Sequence, residues 1–339
     1  SDGRGGGPAP GRPVTGQVDA GALTSALLPT AALIALGWAL RHRWRFTDEF
    51  WRNLERLAYF VLLPALFVSG LAKADFTGLG VGSMALVLAI SSVLAAVVTW
   101  LLRPLITRDG PAFSSVFQGG VRFNNYIGLV VATAVLGAEG LALAALCNAV
   151  LVPLVNITST LTLARHGQGH TRIAAIAREV ATNPLVVACV LGMALQLAGR
   201  SGPGAAALDT PALGEVLVGV GELVRILGTA ALPIGLLCVG AGLRRPEGTA
   251  VTTALIAWSM GLRFAVVPAM TAGVALALGV SGPTALVALL FQSLPTATSS
   301  YMLARRLGGD AALMAAIIAV QTVAALVTIP LWLLVGQAL

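Results

Sequence analysis

The sequence predicts an all-α polytopic membrane protein of ten transmembrane helices, arranged as two inverted five-helix repeats whose fourth and ninth helices are broken crossover helices. Composition, the spacing of apolar runs and an internal repeat lead there. Hydrophobic residues make up 57% of the 339 and charged ones 10%, against the roughly 25% charged that a soluble domain uses to cover itself. Apolar runs of about 20 residues, the length that crosses the hydrocarbon core, recur along the chain with short polar breaks.

Residues 1–20 are Gly/Pro-rich with no apolar run, and read as a disordered tail or a non-native remnant outside the fold. The first repeat, 21–164, holds spans at about 22–40, 55–72, 79–102, 113–136 and 139–164. The second, 165–339, holds spans at about 182–198, 214–242, 250–278, 284–304 and 311–336. With ten spans alternating, one side collects Arg41, Arg43, Arg45, Arg52, Arg56, Arg103, Arg108, Arg165, Arg172, Arg178, Arg244, Arg245, Arg305 and Arg306. Short cytoplasmic loops accumulate Lys and Arg, so that side is cytoplasmic and both termini are extracytoplasmic. The expected location is the inner (plasma) membrane, in lipid, as a multi-pass protein.

Topology also accounts for the net charge of +7. The basic residues sit in short loops without interleaved aromatics, which speaks against nucleic acid as a partner. Cys147, Cys189 and Cys238 lie inside apolar runs with no CxxC spacing, and His42, His166 and His170 fall in charged loops. No metal, no cofactor and no enzymatic chemistry is expected from them.

The repeat is visible in register. PTAALIALGWAL from Pro29 and PLVVACVLGMAL from Pro184 share Pro, Leu-Gly and Ala-Leu at a constant offset of 155. Arg56 and Pro64 recur as Arg225 and Pro233 at an offset of 169. FQGGVRFNNYIGL from Phe117 then pairs with FQSLPTATSSYML from Phe291. A duplicated unit of five spans, an odd number, must enter the membrane in opposite orientations.

Spans four and nine are the least lipid-like. Gln118, Gly119, Gly120, Arg122, Asn124, Asn125, Tyr126 and Gly128 stand near the middle of one; Gln292, Pro295, Thr296, Thr298 and their serines near the middle of the other. Glycine lets a helix unwind, proline removes a backbone donor, and freed backbone is tolerated at that depth only inside protein or beside a cavity. Two broken helices crossing there would aim half-helix N-termini, with neutral Asn and Thr donors, at a carboxylate.

Arg122 and Arg263 lie mid-span, each costing about 2.5–3.5 kcal/mol on insertion scales when unpaired, and no span centre carries Asp or Glu. An anionic substrate can supply the missing charge; capping of helix C-terminal carbonyls is the alternative for either arginine. The candidate substrate-binding set is Arg122, Asn124, Asn125, Tyr126, Asn156, Arg263, Gln292, Pro295, Thr296 and Thr298. Gly120, Gly128, Pro64 and Pro233 are the candidate hinges.

FQGGVRFNNYIGL with LGAEGLALAALCNAVLVPLVN, ATNPL, ALPIGLLCVGAGL and SLPTATSSYMLARRLGGD together resemble the auxin efflux carrier family, in its bacterial branch of organic-acid (malonate- or malate-type) permeases. The resemblance spans residues 22–339. It implies a scaffold of helices 1, 2, 6 and 7 that forms homodimers, and a transport domain of helices 3–5 and 8–10 that moves like an elevator. Substrate would bind where the broken helices cross, with Asn124 and Asn125 at the first break and Pro295 and Thr296 at the second. The chain departs from the plant carriers in having Gly120 and Gly128 in place of a crossover proline, and in lacking their long central cytoplasmic loop. Auxin and phosphorylation of that loop are therefore not expected here.

The expected function is a secondary transporter for a small organic anion such as a carboxylate. An inside-negative potential drives an anion outward by about 2.3 kcal/mol per charge per 100 mV, and with no carboxylate at a span centre the expected direction is export. A Na⁺- or H⁺-coupled importer of the bile-acid-symporter type and a non-transporting membrane sensor are the alternatives.

Overall fold

A computed structural model describes residues 20–167, 182–200, 211–243 and 250–339. Arg172, Arg178, Arg244, Arg245, His170 and nearly all of the 1–20 tail lie outside the described residues. The helices are α1 (Ala20–His42), α2 (Asp48–Leu57), α3 (Leu63–Ala72), α4 (Val81–Leu101), α5 (Arg103–Ile106), α6 (Gly110–Val121) and α7 (Asn125–His166) in the first half. The second half contributes α8 (Pro184–Arg200), α9 (Pro211–Gly242), α10 (Ala250–Gly261), α11 (Val267–Ala277), α12 (Gly282–Gln292), α13 (Ser299–Leu307) and α14 (Ala311–Gln337).

The protein is all-helical among the described residues, and a polytopic membrane protein by its apolar lengths. Six helical stretches there are long and apolar enough to cross a membrane: 48–72, 81–101, 110–166, 216–242, 252–277 and 311–337. Leu27–His42, Pro184–Ala198 and Gly282–Gln292 are shorter apolar helices. The sequence-predicted fourth and fifth spans share the 110–166 stretch, and Gly137, at φ 60° and ψ −136°, divides them.

Local chemistry sets the ends. The Thr47 hydroxyl accepts from Phe50 N–H to cap α2, Asp109 caps α6 through Ala112 N–H, and Asp310 caps α14 through Leu313 N–H. Pro64 and Pro268 stand at the second residues of α3 and α11, each directly after a π-helical turn, Ala58–Leu62 and Leu262–Val266. A proline offers no N–H to the preceding turn, and the widened turn absorbs the bend. Pro233 stays inside the continuous α9.

Two packed groups result. In the first, α1, α3, α8 and α9 approach through glycines: a Cβ at Gly228 of α9 would stand 2.9 Å from the Leu66 Cα of α3, and one at Gly192 of α8 would stand 2.8 Å from Leu71 Cβ. Gly37 and Gly240 bring α1 and α9 backbone to backbone in the same way. In the second, Phe113, Phe117, Leu255, Leu262, Met314 and Ile317 join α6 to α10, α14 and the π turn before α11. Trp332 of α14 donates to the Phe264 carbonyl at 2.8 Å.

Candidate functional site

Helix α6 stops at Val121, and Arg122 and Asn124 take extended backbone before α7 begins. Helix α12 stops at Gln292 and α13 begins at Ser299. The two non-helical segments touch, Asn124 N–H donating to the Pro295 carbonyl at 2.7 Å. Gly120 and Gly128, expected as hinges, are helical residues flanking the first break. What Gly128 supplies is clearance: a Cβ there would stand 2.6 Å from Leu294 Cδ1 and 2.9 Å from Phe291 Cζ.

Four helix ends meet at this junction, and they are treated differently. Arg263, with no solvent exposure, donates to the Phe291 carbonyl at 2.9 Å, to Gly120 and Val121 at 3.3 and 3.4 Å, and to Leu294 through Nε. It therefore caps the C-terminal ends of both α6 and α12, where helix dipoles present negative charge. That is the capping geometry weighed for this residue in the sequence, and Arg263 does not reach the cavity described below.

The other ends, the N-termini of α7 and α13, open on a cavity of about 510 Å³. From the sequence-derived set it is lined by Arg122, Asn124, Asn125, Tyr126, Asn156 and Thr298. Arg122 donates to Asn156 Oδ1 at 2.8 Å and to Ser299 Oγ at 3.2 Å. Asn124 Oδ1 accepts from Tyr126 and Ile127 N–H and so caps α7. Its Nδ2 and the Tyr126 hydroxyl are buried without a partner among the described residues, a state that buried donors rarely keep unless something else binds them.

Gln292, Pro295 and Thr296 lie behind this wall. Gln292 donates to Ser91 and Ser92 at 3.1 and 2.7 Å. Thr296 N–H donates to Gln321 Oε1 at 2.9 Å, and Gln321 Nε2 donates in turn to the Gly119 carbonyl at 3.0 Å. These side chains fasten the breaks to α4, α6 and α14 and do not line the cavity.

Sequence reasoning missed the opposite wall. Arg52, Glu55, Arg56 and Tyr59 line the cavity from α2 and the following π turn, and Arg306 from α13. The arginines read in sequence as loop charges. Their signal was the spacing 52, 55, 56 and 59, which places all four on one face of a helix. Glu55 accepts from the Thr298 hydroxyl at 3.3 Å. The export expectation rests on the lack of a carboxylate at a span centre; Glu55, near the start of the second span, is a carboxylate on the cavity wall that this reasoning did not consider.

The family model for membrane transport proteins matches residues 22–333. The chain belongs to this family. It is the auxin efflux carrier family that the motifs around both breaks resemble. An uncharacterized transporter of Methanothermobacter thermautotrophicus is 25% identical over 313 residues, covering 91% of this chain and 97% of that protein. The family is one of membrane transporters, and nothing points to catalytic activity.

Proposed function

We propose that the protein is an elevator-type carrier of a small organic anion, built from ten spans in two inverted repeats. The observation that carries this reading is the sorting of helix ends: both C-termini at the junction are occupied by Arg263, while both N-termini open on the cavity beside Arg122. A carboxylate placed there faces two positive dipole ends, a guanidinium, the Asn124 amide and the Tyr126 hydroxyl. Phe60, Phe123, Val152 and Leu185 supply apolar contact for the rest of the substrate, and the volume falls in the range of about 300–1,000 Å³ usual for small ligands.

The glycine-packed group of α1, α3, α8 and α9, with α2, is the scaffold in this reading and forms the homodimer; the group around both breaks is the moving body. Glycine contacts lock the scaffold helices together, and the moving body packs on the scaffold beside the cavity, the Cys189 thiol donating to the Ala145 carbonyl at 3.4 Å. An anion moved alone runs outward under an inside-negative potential, and a co-transported cation offsets that preference.

Efflux of labelled malonate, malate and indole-3-acetate from proteoliposomes, with and without an imposed potential, tests the proposal. Saturable efflux of at least one acid, absent from protein-free vesicles and lost in Arg122→Ala, is the expected result. A wild-type protein that binds an acid without moving it would instead be a sensor.

A further inference from the structure

Glu55 is out of place in a cavity built for an anion. It projects from α2 onto the same lining as Arg122 and Asn124, where its charge opposes any carboxylate bound there. Its hydrogen-bond partner is neutral, the Thr298 hydroxyl, and no Arg or Lys nitrogen among the described residues comes within 4.0 Å of its carboxylate. A permanently ionised Glu55 would therefore weaken the binding that the rest of the wall favours.

The groups around it offer no rival proton carrier of ordinary affinity. On its own helix and the π turn stand Arg52, Arg56 and Tyr59; across the cavity stand Arg122 and Tyr126, with Arg306 from α13. From α9, the thiol of Cys238 lies in electrostatic range. As side-chain classes, guanidinium groups keep their charge and phenols and thiols release protons only above neutral pH. Glu55 is the carboxyl in this set.

We infer that Glu55 is a proton-binding site coupled to the anion site, so that the protein takes up a proton as it binds its substrate. This rests on the anion-carrier reading. As the anion enters, a proton from water at the cavity mouth bonds to a Glu55 carboxylate oxygen; as the anion leaves, that proton returns to water. Protonation removes the repulsion, and by reciprocity the bound anion favours the proton. The hydrogen bond to Thr298 places the coupling group at the meeting of the scaffold wall and the second break, so emptying or filling the site changes the contact between them.

The test is calorimetric binding of malonate, malate and indole-3-acetate to the full chain in detergent, for wild type, Glu55→Gln and Glu55→Asp. Titrations run from about pH 5 to about pH 8 in buffers of high and low ionisation enthalpy, with the probe's own ionisation subtracted. Wild-type affinity is expected to fall by up to about tenfold per pH unit as up to one proton is taken up per anion. Glu55→Gln is expected to bind without proton uptake and without that slope, and Glu55→Asp to keep both. Equal proton uptake in wild type and Glu55→Gln, or none in a wild type that binds an acid, overturns the inference. Binding of no probe by wild type defeats the carrier reading itself, and the proton site with it.

Discussion

The backbone N–H of Asn124 donates to the carbonyl of Pro295 at 2.7 Å, joining two chain breaks 171 residues apart in sequence. Each break frees backbone groups that lipid cannot satisfy, and each supplies what the other lacks. Proline has no N–H to offer but keeps its carbonyl, and Asn124, outside the helical ladder, has a free donor. The breaks are stable because they are adjacent, and that adjacency also turns two helix N-termini toward one cavity.

Arg263 holds the opposite side of the junction. Replacing it with methionine is expected to leave the carbonyls of Phe291, Leu294, Gly120 and Val121 without their buried donor, at a cost of about 3 kcal/mol or more. Arg263→Lys should rescue little, because an ammonium cannot spread over four acceptors as a planar fork does. Thermal unfolding in detergent checks both; a Met variant as stable as wild type would mean the carbonyls find other donors.

Much of this was legible in the chain. The run boundaries near 72, 101, 166 and 242 follow from hydropathy, because lipid leaves a helix no alternative way to satisfy its backbone. The breaks were legible from Gly119, Gly120 and Pro295, residues that helices use sparingly. The division of labour between Arg122 and Arg263 was not, since both are single arginines in apolar runs and only packing decides which meets carbonyls and which meets a cavity. Glu55 was hidden differently: it sits among arginines in a polar stretch, where a short amphipathic helix and a solvated loop have the same composition.

Asn156 should tune Arg122. Asn156→Asp puts a carboxylate at the oxygen that now accepts from Arg122 Nη1 at 2.8 Å, where it competes with a bound anion for the guanidinium. Anion affinity is expected to drop about ten- to hundredfold, approaching the loss in Arg122→Ala, while the unfolding temperature holds. Calorimetric titration with the best-bound acid measures it; unchanged affinity would remove Arg122 from the anion site.

Glycine substitutions separate clearance from flexibility. Gly128→Ala drives a methyl against Leu294 and Phe291 at under 3 Å and is expected to cost about 1–3 kcal/mol by overpacking. Gly273→Ala, in α11 with nothing within 4 Å of the added carbon, should stay within about 0.5 kcal/mol or gain slightly. Melting curves of the pair decide; equal shifts would mean that Gly128 is kept for some reason other than room.

Gln321 tests whether the second break is held from behind. It is fully buried, accepts from Thr296 N–H at 2.9 Å and donates to the Gly119 carbonyl and Ser259 Oγ, both at 3.0 Å. One side chain thus ties α14 to both broken helices and to α10. Gln321→Leu preserves size but strands a buried N–H and a buried carbonyl, each worth about 1–3 kcal/mol when unsatisfied. Stability and anion affinity should fall together, since the Thr296 segment also positions Thr298 on the cavity wall. Gln321→Glu retains the acceptor for Thr296 and loses the donor to Gly119 when ionised, so it should damage the first break more than the second. Hydrogen exchange at Gly119–Arg122 and at Thr296–Ser299, compared between the two variants, reads that difference directly: Leu is expected to loosen both segments and Glu chiefly the first.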